Sequence, residues 1–307
     1  MKRDENVSRE EFNRLALKQK QALPLEGKVI LAQQRIREWY EHWDGQVYVS
    51  FSGGKDSTVL LHLVRDLYPD VPAVFVDTGL EFPEIRKFAM SQPNVTVIRP
   101  EMRFDQVIDK YGYPVASKEQ AAFVQEYRTT RSEKLKNIRL SGNKWGRGKI
   151  SKRWIPLTTA PFDVSDKCCD VMKKKPAKQY EKETGRHPFV GTMACESDQR
   201  ASNWMMYGCN AFNKKRPTSQ PLSIWKDGDV WDYLSRYNVE YASVYDLGYD
   251  RTGCMFCMFG CHLEKAPNRF QKMKETHPRQ YDYCMRSRDE KGLGLREVLE
   301  YIGVEYE

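Results

Sequence analysis

Val47-Tyr48-Val49-Ser50-Phe51-Ser52-Gly53-Gly54-Lys55-Asp56-Ser57 runs from an apolar, strand-like segment through a glycine turn into the helix-like Thr58-Val59-Leu60-Leu61-His62-Leu63-Val64. Strand, tight turn and helix together build a phosphate cradle. Paired glycines let the backbone approach an anion closely. The first N–H groups of the helix are unpaired and carry the positive end of its dipole. Lys55 adds a mobile point charge, and Ser52 and Ser57 add short hydroxyls. The spacing is not that of the G-x-x-x-x-G-K-[ST] loop. Ser50, Ser52, Gly53, Gly54, Lys55, Asp56 and Ser57 are therefore the candidate cofactor-binding residues, Gly53, Gly54, Lys55 and Ser57 on the phosphates, with Lys55 and Asp56 as catalytic candidates.

Outward from this turn, apolar strand candidates alternate with helices. Val47–Phe51 precedes a helix at 57–67, Ala73-Val74-Phe75-Val76 a helix at 82–90, and Val95-Thr96-Val97-Ile98 follows. Near-continuous apolar strands between helices predict an α/β fold, a parallel sheet with helices on both faces. Asp77-Thr78-Gly79 closes the second strand, at the sheet edge where ligands bind in such folds. Asp77 and Thr78 are candidate nucleotide contacts, and Asp56 and Asp77 candidate Mg²⁺ contacts, since Mg²⁺ takes few carboxylates plus phosphate oxygens. Residues 7–44 read as helical, with a Ser8–Glu11 capping box and a stripe of Ile30, Leu31, Ile36 and Trp39. Further helices are expected at 105–127, 170–183, 196–209, 268–286 and 295–302, a strand at His187–Thr192, and a loop at 128–153. The expected division is 1–44 helical, 45–235 nucleotide-binding, and 236–307 a cysteine-containing extension.

No apolar run approaches the roughly 20 residues that span a bilayer, and Met1-Lys2-Arg3-Asp4-Glu5-Asn6 begins no signal peptide. The expected location is the cytoplasm. The eight cysteines are then ligands or thiols rather than disulfides, and seven of them lie between Cys168 and Cys261. Net charge is +8, yet 128–153 alone holds ten Lys or Arg against Glu133. With Trp145 and Trp154, that segment suits nucleic acid: cations neutralise phosphates and an indole stacks on a splayed base.

Ser52-Gly53-Gly54-Lys55-Asp56-Ser57 resembles the S-G-G-x-D-S loop of the PP-loop ATP pyrophosphatase (adenine nucleotide alpha hydrolase-like) superfamily, whose members cleave ATP between the α- and β-phosphates. Cys168-Cys169, a gap of 84 residues, and Cys254-Met255-Phe256-Cys257 resemble the adenylyl-sulfate reductases of the phosphoadenylyl-sulfate reductase family. So do Lys173-Lys174-Lys175-Pro176, Gly248-Tyr249-Asp250-Arg251-Thr252-Gly253 and Pro221-Leu222-Ser223-Ile224-Trp225. The resemblance covers about 28–262. It implies a [4Fe–4S] cluster on Cys168, Cys169, Cys254 and Cys257, with structural zinc as the alternative and Cys261 as a rival ligand or catalytic thiol. Cys284, Cys195 and Cys209 are expected to pack. Gly191 to Arg200 resembles the family's G-x-R-x-x-E-S-x-x-R. Glu196 and Arg200 are thereby nucleotide-binding candidates, while Met193 stands where the pattern has arginine.

The intact loop suits ATP itself rather than an already adenylated sulfate. The C-terminal E-C-G-L-H of sulfonucleotide reductases has no counterpart in Leu299 to Glu307. The better resemblance is to iron–sulfur ATP-dependent sulfurtransferases of DNA phosphorothioation and tRNA thiolation. It implies ATP, Mg²⁺, a nucleic-acid acceptor at 128–153 and a sulfur donor such as a cysteine desulfurase. Three alternatives are a sulfonucleotide reductase, a non-catalytic nucleotide sensor and a nucleic-acid-binding module.

Overall fold

A computed structural model describes residues 9–307, so Ser8 of the expected capping box lies outside the described residues. In chain order the first elements are α1 (Arg9–Gln21), α2 (Leu25–His42), β1 (Val47–Ser50), α3 (Lys55–Leu67), β2 (Ala73–Val76), α4 (Pro83–Ser91), β3 (Val95–Ile98), α5 (Phe104–Tyr111), β4 (Val115–Ala116), α6 (Lys118–Thr129) and α7 (Glu133–Ser141). Then come α8 (Lys175–Thr184), β5 (His187–Val190), α9 (Asp198–Tyr207), β6 (Asn210–Ala211), β7 (Thr218–Ser219), α10 (Asp227–Arg236), β8 (Met258–Phe259), α11 (Arg269–Thr276), α12 (Pro278–Met285) and α13 (Leu295–Tyr301). Among the described residues, no helix is long and apolar enough to cross a membrane.

The chain packs as two units, each assembled from separate segments. The first takes the residues up to Asp77 with Pro83–Ile98 and Ala177–Thr252; the second takes Thr78–Phe82, Arg99–Pro176 and Gly253–Glu307. This differs from the contiguous division at 45 and 236. The reason is topological: the sheet's long crossover from β3 to β5 contains most of the second unit.

In the first unit a six-stranded sheet has the order β3-β2-β1-β5-β7-β6, parallel except for β6 against β7. Val49 stands opposite Ala73 on one side and Phe189 on the other. Side chains alternate across the pleat. Val47 and Val49 join Trp39, Leu60, Leu63, Phe189 and Trp225 in the core. Tyr48 turns to the other face, where its hydroxyl donates to Glu181 of α8 at 2.7 Å. Both faces of the sheet are thus covered by helices, as the apolar strands predict.

The buried face of α2 is Leu25, Lys28, Val29, Ala32, Ile36 and Trp39. Ile30, placed in the expected stripe, is instead exposed. It lies off the line of three- and four-residue steps that joins the others, and the charge of Lys28 hid that line. Lys28 is fully enclosed, and its Nζ meets Asp229 of α10 at 2.6 Å. Removing one partner of a buried pair leaves a charge without compensation, so Lys28→Ala is expected to cost about 3–5 kcal/mol in a denaturant titration. Lys28→Ala with Asp229→Ala should recover part of that loss.

The second unit holds a short parallel pair, β4 and β8, with Val115 opposite Met258 and Ala116 opposite Phe259. The helix expected over 105–127 is broken into α5, β4 and α6. Gly112 ends α5 with φ +97°, and a Cβ there would stand 2.3 Å from the Asp163 carbonyl carbon, which only glycine avoids. The helix expected at 268–286 is likewise two, because Pro278 has no N–H with which to continue α11. The one expected at 170–183 opens with a π turn at Asp170–Lys174 and becomes α-helical at Lys175. The segment expected to be a loop, 128–153, contains one helix, α7, while 142–151 form the loop that follows it. Ser132 caps α7 by accepting from Leu135 N at 3.3 Å, and no α7 residue is fully buried. Without an apolar stripe, its helical period was not legible.

Cys284 is a packing thiol, fully buried on α12 and donating to the Tyr281 carbonyl at 3.2 Å. Burial pushes its pKa up from 9.0 to about 12. A raised acid in the folded state contributes stability that is complete below the unfolded pKa and lost as pH rises toward the folded one. Cys284→Ala should therefore flatten the decline in thermal stability between about pH 9 and about pH 12. An unchanged decline would locate it in other groups.

Candidate functional site: a phosphate cradle and a thiol cluster

In the first unit, β1 ends at Ser50 and α3 begins at Lys55, so the intervening turn lies at the carboxyl edge of the parallel sheet. Gly53 has φ +74°, and a Cβ on it would meet the Ile85 carbonyl oxygen at 2.9 Å. Ser57 Oγ donates to the Gly54 carbonyl at 2.8 Å and stands 3.0 Å from Ser52 Oγ. The Lys55 N–H, one of the unpaired donors at the start of α3, donates to the Tyr245 hydroxyl at 2.8 Å. That hydroxyl also pairs with Thr252 Oγ1 at 2.9 Å. A phosphate oxygen can take the same N–H, because both are oxygen acceptors.

The Lys55 ammonium is enclosed, 2.5 Å from Asp227 Oδ1 and 3.2 Å from Asp56 Oδ1. Burial pulls its pKa down, but the hydrogen bond to Asp227 and the charge of Asp56 more than offset this and hold it above the ordinary lysine value. Lys55 therefore stays charged through the neutral range. Burial pushes Asp56 up; Lys55 draws it back down, and Glu196 and Asp227 add to the rise. Two carboxylates thus flank one cation, with Glu196 acting on Asp56 from further off, an arrangement that gains from a further cation.

Glu196 accepts from the Met193 N–H at 2.7 Å and forms an ion pair with Arg200 one turn away on α9. The structure brings Glu196 to the cradle's electrostatic neighbourhood and ties Arg200 to it. Asp77, at the end of β2, accepts two hydrogen bonds from Arg86 at 3.1 Å each. Thr78 belongs to the second unit, where its hydroxyl donates to Glu81 at 2.7 Å. Sequence reasoning missed Asp227, Tyr245 and Thr252. The nearest signal to Asp227 was the family-like stretch Pro221 to Trp225, which ends two residues before it. Cys195, expected to pack, is exposed and feels the charges of Glu196, Asp227 and Asp56.

In the second unit, Cys168, Cys169, Cys254 and Cys257 form an interacting group. Cys168 and Cys169 stand just before the π turn; Cys254 and Cys257 are joined by a turn, Cys257 N–H to Cys254 O at 3.1 Å. Burial raises the Cys168 thiol well above its ordinary value, and the charges of Cys254, Cys169 and Cys257 raise it further. Burial pushes Cys254 up to about 11, with Lys173 opposing the rise. Lys173 hydrogen-bonds the Cys254 sulfur, and Cys254 and Glu81 hold its own pKa above the ordinary range. Glu81 stands 3.7 Å from Lys173 Nζ, so a chain of contacts runs Thr78, Glu81, Lys173, Cys254. Arg269 donates to the Cys257 carbonyl at 2.7 Å. Glu81 and Arg269 are further residues that the sequence did not single out; Lys173 stood in the family-like stretch after Cys169, without a role.

Among the described residues, no group of three or more His, Cys, Asp or Glu is arranged to hold a metal ion. The donor chemistry nonetheless fits a thiolate-bound centre. Burial and neighbouring sulfurs raise the thiols of Cys168, Cys254 and Cys257, and a cationic centre would take them as thiolates and remove that penalty. An all-sulfur set suits iron–sulfur or zinc. Cys261 is buried; its thiol donates to the Met258 carbonyl at 3.1 Å, and burial pushes it up to about 12.

Residues 46–144 and 147–259 match the phosphoadenosine phosphosulfate reductase domain. An uncharacterized protein of Methanocaldococcus jannaschii is 31% identical over 247 residues, 78% of this chain and 42% of that protein. A second from the same organism is 26% identical over 258 residues, 79% of this chain and 48% of that protein. The chain thus spans about half the length of these two relatives. The phosphoadenosine 5'-phosphosulfate reductase of Xanthomonas axonopodis is 25% identical over 231 residues, 75% of this chain and 77% of that enzyme. Among solved structures, a phosphoadenylyl-sulfate reductase from Candida auris aligns with TM-score 0.44 and 18% identity, over 81% of this chain and 96% of that one. With the domain match running through both the cradle and the two cysteine pairs, the chain belongs to the phosphoadenosine phosphosulfate reductase domain family.

Proposed function

We propose that the protein is an adenylating ATP pyrophosphatase that couples cleavage of ATP to sulfur transfer onto nucleic acid. The observation that carries this is the complete cradle: Lys55 enclosed between Asp56 and Asp227, with its N–H presented at the start of α3. An acceptor oxygen attacks the α-phosphorus and pyrophosphate leaves. Lys55, the α3 N–H groups and the Ser52 and Ser57 hydroxyls bind the phosphate oxygens and stabilise the charge that grows on them. Asp56 and Asp227 are the carboxylates that would hold Mg²⁺ on the triphosphate. A persulfide sulfur then displaces AMP, and a second thiol releases the thiolated product by thiol–disulfide exchange. Cys168, Cys169, Cys254 and Cys257 would hold an iron–sulfur centre, which supplies a thiolate-rich, redox-active site when bound. Lys173 and Arg269 orient those thiols and offset their charge.

The test uses anaerobically purified protein with ATP and Mg²⁺, with and without oligonucleotide, assayed for AMP and pyrophosphate. The expected result is release of both. Sulfite from adenylyl sulfate, with no pyrophosphate from ATP, would favour a sulfonucleotide reductase instead. That second reading is supported by the Xanthomonas axonopodis relative, which covers most of both chains.

A further inference from the structure

The two tryptophans of the basic segment both follow α7 and differ in burial. Trp154 is buried against His262, whereas Trp145 is 71% exposed at the tip of the loop after α7. That loop is built, not slack. Asn143 Oδ1 accepts from Trp145 N at 2.9 Å and from Arg147 N at 3.1 Å, and Asn143 N donates to Arg147 O at 2.8 Å. Arg139 ties its far side by donating to the Gly148 carbonyl at 2.6 Å. Lys144 Nζ lies 4.2 Å from the centre of the Trp145 ring. Nothing in the core uses this indole, although leaving so much apolar surface in water is unfavourable.

The charges sort the same way. Of the ten Lys and Arg in 128–153, Arg128 binds Asp163 and three backbone carbonyls, Lys136 pairs with Glu133, and Arg139 pairs with Glu126. The other seven, Lys144, Arg147 and Lys149 among them, are exposed and have no carboxylate partner among the described residues. Cations beside a fixed, exposed indole match a strand that offers phosphates and unstacked bases together. A duplex keeps its bases stacked and gives the indole no face.

We propose that the loop from Asn143 to Lys149 is a docking site for single-stranded nucleic acid, with Trp145 stacking on a base and Lys144, Arg147 and Lys149 binding adjacent phosphates. The site names the acceptor class for the sulfur-transfer reading, and rests on that reading only for what becomes of the bound strand.

The test is fluorescence anisotropy of labelled single-stranded DNA and RNA of one sequence, and of the matching duplex, without ATP. Trp145→Ala should weaken single-strand binding about 5- to 100-fold, and Trp145→Phe should restore most of it. Lys144→Gln with Arg147→Gln and Lys149→Gln should lower the slope of log affinity against log salt by about 2. The tighter of the DNA and RNA arms identifies the sugar. Equal affinity for Trp145→Ala and wild type would overturn the proposal, as would duplex binding with the same dependence on Trp145. Competition by polyglutamate that persists in Trp145→Ala would assign the surface to acidic protein instead. Circular dichroism establishes that the variants fold. Trp145-dependent binding without pyrophosphate release would overturn the sulfur-transfer reading and leave this site standing.

Discussion

Lys55→Ala is expected to lower ATP-dependent pyrophosphate release by about 10²- to 10³-fold, the size seen when one donor is taken from a preorganised anion site. The side chain is enclosed, carries its charge through the neutral range, and stands where the turn and the start of α3 converge. No neighbour replaces it, because the groups around it are the carboxylates of Asp56 and Asp227. Those carboxylates then keep only the Mg²⁺ they would hold, and their uncompensated charge beside the triphosphate adds to the loss. Stability should change less than activity, since Asp227 is well exposed and water screens it. ATP should raise the melting temperature of wild type and leave that of Lys55→Ala unmoved. Lys55→Arg should not rescue, because a planar guanidinium cannot occupy a site fitted to a compact ammonium. Pyrophosphate release by Lys55→Ala at the wild-type rate would remove the cradle from the chemistry. ATP binding by wild type with no release would make the protein a nucleotide sensor.

The cradle was legible because its signal is local. Two glycines, a lysine and two serines between an apolar strand and a helix leave few other structures open, and the parallel sheet follows from the apolar strands around them. What completes the cradle was not legible. Asp227 and Tyr245 are brought to Lys55 from 172 and 190 residues away, and a helix-start aspartate looks the same whether it caps or binds. The discontinuous units were hidden for a related reason: the crossover from β3 to β5 carries a second packed body, and composition does not mark where it begins. In the basic segment, charge was visible from sequence while the difference between Trp145 and Trp154 was not, because burial is decided by partners such as His262. Cysteine spacing marked the thiol group but not Glu81, which reaches Lys173 from a distant part of the sequence.

Cys254→Ser is expected to abolish the iron content and visible absorbance of anaerobically purified protein, while Cys261→Ser and Cys284→Ala leave both in place. Cys254 interacts with the other three thiols of its group and is the one that Lys173 hydrogen-bonds. Cys261 directs its thiol to a backbone carbonyl, and burial holds it protonated up to about 12. Deprotonating it for a metal would break that hydrogen bond, whereas a centre on the other four relieves their mutual repulsion. Lys173→Met supplies an intermediate case. It removes the cation that opposes the rise of the Cys254 pKa, and groups that orient metal ligands are worth about 10- to 100-fold in metal affinity. Iron should then be present on purification but lost to a chelator much faster than from wild type. Zinc in stoichiometric amount without colour would identify a structural site on the same thiols. Equal loss of metal in Cys261→Ser and Cys254→Ser would place Cys261 among the ligands and break the four-thiol assignment.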